Sequence, residues 1–130
     1  GQVYPFLGLR DDHHSFSHGW QNKEFASISR FWVEQYAYLV SRLDSMQEGD
    51  GTVLDNSCIM MANEQWTAHS APKVPLLLSG GLGGTIETGR SLDFEKSKQR
   101  SMSSLYLGLM DRMGVRMPEF GNATEPLTGI

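Results

Sequence analysis

All four histidines of this 130-residue chain fall in two short stretches. Asp11-Asp12-His13-His14-Ser15-Phe16-Ser17-His18 lies near the start, and Glu64-Gln65-Trp66-Thr67-Ala68-His69 in the middle. Histidine is the commonest side-chain metal ligand, and both stretches place it beside carboxylates. His14 and His18 are four residues apart, which on a helix puts both imidazoles on one face, as in the zinc-binding HExxH pattern. The glutamate of that pattern is absent, since Ser15 and Phe16 stand in the intervening places. If the two stretches meet in space, they form a polar site for a metal ion. Its expected ligands are His14, His18 and His69. Asp11 or Asp12 would act as a further ligand or as the acceptor that fixes a histidine tautomer, with His13 and Glu64 as further support. An exposed polar loop with Ser17 as a capping residue explains the first stretch equally well.

Glu64 and His69 follow an apolar run, and read as two ligands or as a base and its orienter. The plainer alternative is a surface loop, with Trp66 as a lid or partner contact. No catalytic residue can be assigned. Ser17 sits between histidines but no strained elbow sequence surrounds it, so no Ser-His-Asp or Cys-His set can be argued. Gly80-Gly81-Leu82-Gly83-Gly84 lacks the Gly-Lys-Ser/Thr of a phosphate loop and fails the GxGxxG spacing, so it reads as a tight turn leaving a strand. Cys58 is the single cysteine and lies in an apolar run, so it reads as a buried, inert thiol. Asn122-Ala123-Thr124 fits a glycosylation sequon, which matters in a eukaryotic secretory setting.

The elements that must position these groups follow from periodicity. Phe25, Ile28, Trp32, Tyr36, Leu39, Leu43 and Met46 recur at steps of three and four, predicting a helix over 23–46 with Asn22 as N-cap. Phe31, Val33, Tyr38 and Val40 widen the stripe, so the helix is expected to be covered on more than one side. Ser57 to Ala62 and Val74 to Ser79 are expected to be buried strands, with Thr85 to Thr88 as a further edge strand. Strands with ligands just past their carboxyl ends suggest an open α/β sheet, mostly parallel. Ser101 or Ser103 caps a second helix ending near Met113, with Gly114 as terminator. Met60, Met61, Met102, Met110 and Met113 are expected to fill the core. The tail from Val115 to Ile130 reads as an extended strap over one domain.

Composition narrows the function class. A formal charge of −4 gives no basic footprint for nucleic acid. No apolar run is long enough to span a bilayer, and the opening residues do not form a signal peptide. Gly1-Gln2-Val3-Tyr4-Pro5 does not resemble a natural start and suggests a mature terminus or an internal cut.

Several segments together resemble a family of uncharacterised bacterial proteins named for its HxxSHH motif (domain of unknown function fifteen-fifty-two). They are His13 to His18, Phe31 to Leu39, Glu48 to Asn56, His69-Ser70, Val74 to Gly84 and Thr88 to Leu92. Leu105 to Leu107, Asp111 to Val115, Phe120-Gly121 and Leu127 to Ile130 complete the ordered match. The resemblance implies a longer, often exported protein, of which this is the carboxyl-terminal part. It also implies a periplasmic or extracellular location and, as partner, the upstream part of the same domain.

A more distant likeness is to the alkaline phosphatase and sulfatase superfamily, in the order Asn63-Glu64, His69, Leu76 to Leu78, Gly80-Gly81. It implies an α/β fold, a partial sheet of a few mostly parallel strands flanked by helices. His14 and His18 would take the place of that superfamily's Asp-x-x-x-His pair, and a divalent metal (zinc, calcium or magnesium) would serve hydrolysis of phosphate or sulfate esters. The nucleophile would lie upstream. Two positions depart from the HxxSHH pattern: Gly19 stands where its last histidine is expected, and Ala71 where many members carry another. Those losses favour the alternative of a non-enzymatic envelope or extracellular interaction domain.

Overall fold

A computed structural model describes residues 1–19, 22–64 and 69–130. Trp66, read above as a lid or partner contact, lies outside the described residues. The chain mixes helix and strand and divides into two compact units. One comprises Gly1–Met46 with Ile59–Leu78, the other Gln47–Cys58 with Ser79–Ile130.

The first unit opens with a 3-10 turn at Pro5–Leu7, then helix α1 (His13–Ser17) and helix α2 (Lys23–Asp44). The predicted N-cap of α2 is in place: the Asn22 carboxamide oxygen accepts from Phe25 N–H at 2.6 Å, satisfying a donor that the first helical turn leaves open. The apolar stripe is buried near its start, where Ile28 is fully enclosed. Tyr4, 2% exposed, lies edge-on to Phe31 and Trp32, and its hydroxyl accepts from the Trp32 indole N–H at 3.0 Å. The Tyr36 hydroxyl donates to the Ile59 carbonyl at 3.1 Å, tying α2 to the strand that begins there.

Coverage of α2 is one-sided, against expectation. Val33 is 45% and Tyr38 66% exposed, and Trp32, Leu39 and Met46 also face solvent. Of the residues that widen the stripe, Val33 and Tyr38 face solvent, whereas Phe31 and Val40 are half-buried, Phe31 against Tyr4 and Phe6.

Strand β1 (Gln47–Glu48) pairs antiparallel with β2 (Gly51–Thr52) in the second unit, while β3 (Ile59–Ala62) pairs with β4 (Leu76–Ser79). The mostly parallel sheet is therefore corrected. Just beyond the second pair, Asn63 N–H donates to the Pro75 carbonyl, so the end of β3 meets the start of β4 in the antiparallel sense. A parallel pair needs a long crossover, usually a helix; here the chain turns back and pairs with its own predecessor. Neither strand is deeply buried, and Leu77 faces solvent.

Thr85 to Thr88 form no strand. Thr85 and Ile86 N–H donate to the Leu82 and Gly81 carbonyls, closing turns in place of a ladder.

In the second unit, helix α3 (Met102–Arg112) is capped by Ser101, whose hydroxyl accepts from Ser104 N–H at 3.0 Å. Leu105, Leu107 and Leu109 are buried on it, while Met113, expected in the core, is exposed. The tail packs as a strap against this helix. Leu127 N–H donates to the Ser104 carbonyl at 2.7 Å, and Leu127 and Ile130 are buried. Gly108 permits that approach, because a β-carbon there would stand 2.8 Å from the Leu127 carbonyl oxygen. The Arg112 guanidinium donates to the carbonyls of Thr85, Gly108 and Ile130.

Candidate metal centre

α1 exists because Asp12 starts it. The Asp12 Oδ1 accepts from the N–H groups of His14 and Ser15 at 2.9 and 3.2 Å, and Oδ2 accepts from the Ser15 hydroxyl at 2.8 Å. These bonds, the Ser15 hydroxyl foremost, hold the Asp12 carboxyl below the ordinary aspartate range. At the other end, the Asn22 amide donates to the Phe16 carbonyl at 2.9 Å. The same side chain thus closes α1 and opens α2.

Gly19 fits this junction: a β-carbon there would lie 2.8 Å from the Asn22 amide nitrogen. The helix is short, but His18 keeps helical dihedrals (φ −72°, ψ −19°) as its C-cap. The four-residue spacing therefore acts as it would inside a longer helix, and the two imidazoles share a face.

Their Nε2 atoms lie 3.0 Å apart. One must carry the proton and the other accept it, a bond that a shared cation would replace. His69, carried by the segment between β3 and β4, joins them, with ring centroids 5.4 Å from His14 and 5.1 Å from His18. One nitrogen from each ring lies within 4.8 Å of the other two, and all three residues are exposed. All three belong to the first compact unit. Two nitrogens bound tetrahedrally to one ion at zinc distances are about 3.3 Å apart, so the His14–His18 spacing needs little adjustment.

The other candidate residues stand apart from this group. His13 points elsewhere, stacked on Phe25 (centroids 5.4 Å, planes 9° apart) and edge-on to Tyr4. Adjacent helical residues are about 100° apart around the axis, which separates His13 from its neighbour. Asp12 has both oxygens engaged in the cap. Asp11 and Glu64 are exposed and outside the group of three. Ser17 does not cap the helix start; its hydroxyl donates to the His14 carbonyl at 2.7 Å.

The glycine-rich segment offers its amides inward. Gly81, Leu82 and Gly83 N–H donate to the carbonyls of Leu54, Ser57 and Asp55, which makes it a turn and not an anion cradle. Cys58 is half-buried, and desolvation pushes its thiol above the ordinary range.

Sequence reasoning did not single out Ser15, nor the second role of Asn22, which closes α1 as well as capping α2. Ser15, three residues after an Asp N-cap, was the available signal. No protein-family model matches the chain, and no curated protein or solved structure is similar to it at a significant level.

Proposed function

We propose that this chain carries the divalent-metal site of an exported, hydrolase-like protein acting on phosphate or sulfate esters. His14, His18 and His69 are the ligands, Asp12 positions the first two by building α1, and no residue is assigned as nucleophile. The observation that carries the reading is the meeting of three imidazoles from two distant stretches of sequence, within 4.8 Å. The order Asn63-Glu64, His69, Leu76 to Leu78, Gly80-Gly81, similar to that of the alkaline phosphatase and sulfatase superfamily, motivates the ester-hydrolase part. A bound divalent ion would supply Lewis acidity toward an ester oxygen. The test is metal analysis of the purified protein with His14→Ala and His69→Ala variants, alongside phosphatase and sulfatase assays. Bound metal lost in both variants, with turnover that requires it, supports the proposal. Metal-free protein with unaltered variants rejects it.

A second reading is a non-enzymatic interaction domain. It is favoured by the exposed apolar residues of α2, where Trp32 and Leu39, seven positions apart and so on one face, are 42% and 46% exposed. Metal-dependent turnover rejects this alternative.

A further inference from the structure

Resting on the metal-site reading above, the geometry points to a zinc-class ion as the site's natural occupant, preferred over calcium and magnesium and open to small anions from solvent.

The first argument is donor chemistry. Calcium takes six to eight oxygen ligands and magnesium a near-octahedral oxygen shell. The group assembled here offers nitrogen alone: among the described residues no carboxylate joins His14, His18 and His69. The nearest carboxylate in sequence, Asp12, has both oxygens bonded to the first turn of α1. Ligating through it would undo the turn that presents His14. Imidazole donors suit zinc, copper, nickel and cobalt, so the site discriminates by ligand type.

The second argument is the number and exposure of the donors. Three protein ligands plus an exchangeable fourth position mark an open zinc site, whereas a closed structural site supplies all four from protein. All three histidines face solvent, so a small anion reaches the ion directly. Three neutral imidazoles also leave the full dication charge uncompensated, which favours an anion over a neutral molecule as the added ligand.

The test is titration of the full chain with Zn2+, Co2+, Ca2+ and Mg2+ by calorimetry, followed by addition of azide to the Co2+ form while its visible absorption is recorded. We expect zinc and cobalt to bind at one equivalent, calcium and magnesium to bind at least about a hundredfold more weakly, and azide to shift the cobalt spectrum saturably. His69→Gln, an exposed substitution, should weaken zinc by about tenfold or more; circular dichroism establishes that the variant is folded. His13→Gln should leave zinc affinity unchanged.

Failure to bind any ion overturns the metal-site reading itself. Zinc binding no tighter than calcium binding overturns the preference inferred here while the metal site stands. A cobalt spectrum indifferent to azide overturns the open position.

Discussion

His14 and His18 face each other across one helical turn with Nε2 atoms 3.0 Å apart, although the regular helix has already ended at Ser17. Asp12 pins the start of that turn and Asn22 its end. A five-residue helix has little stability of its own, so these two caps decide whether the imidazole pair exists.

Asp12→Ala should therefore weaken zinc affinity without removing a ligand. Asp12→Asn, which keeps an acceptor oxygen, should recover part of the loss. Calorimetry on both variants checks this; equal affinities in Asp12→Ala and the parent would show that the cap does not position the site.

The pH dependence of the cap has a fixed sign. A carboxyl depressed in the folded state stabilises fully above its unfolded pKa and loses that contribution as pH falls through the folded value. α1 should hold at neutral pH and fray in acid below the ordinary aspartate range. A carboxyl-carbon NMR titration should find Asp12 among the most acidic aspartates of the chain.

Tyr4→Phe removes the acceptor for the Trp32 indole N–H while keeping the buried ring. Loss of a hydrogen bond of this kind costs about 1 kcal/mol. Urea unfolding followed by tryptophan fluorescence should show that loss.

Gly80 and Gly83 separate two glycine requirements. Both have positive φ (100° and 66°), but a β-carbon at Gly80 would meet the Ser57 carbonyl oxygen at 2.3 Å, while the space around Gly83 is open. Gly83→Ala should cost about 1 kcal/mol from backbone conformation, and Gly80→Ala several times more, because backbone must move. Denaturation midpoints of the two variants give the order; the reverse order would contradict the packing described.

Cys58 is half-buried with its thiol pushed up by desolvation, so the thiolate is scarce at neutral pH. Alkylation by iodoacetamide should be slower than that of a free thiol at pH 7 and should accelerate in urea.

The helices were legible in the sequence because their signals are local. The stripe from Phe25 to Leu43, with Asn22 before it, set α2, and Ser101 and Gly114 bracketed α3. Strand direction was not legible. Short apolar runs such as Ile59 to Ala62 fit parallel and antiparallel partners alike, and pairing is settled by which segment the chain meets when it returns. Edge residues such as Thr85 to Thr88 look β-prone, yet the turn begun at Gly80 captures the amides of Thr85 and Ile86.

At the candidate site, the spacing of His14 and His18 indicated a common face. Their meeting with His69 depends on a tertiary approach that periodicity cannot express. The separation of His13 from its neighbour follows from helix geometry and could have been drawn from the sequence once α1 was recognised.

The most direct measurement is zinc binding by the full chain compared with its His14→Ala, His18→Ala and His69→Ala variants. One equivalent of zinc, with affinity falling in each of the three and not in His13→Gln, is the predicted result. Stoichiometric binding that survives loss of His69, or no binding by the parent chain, would contradict it.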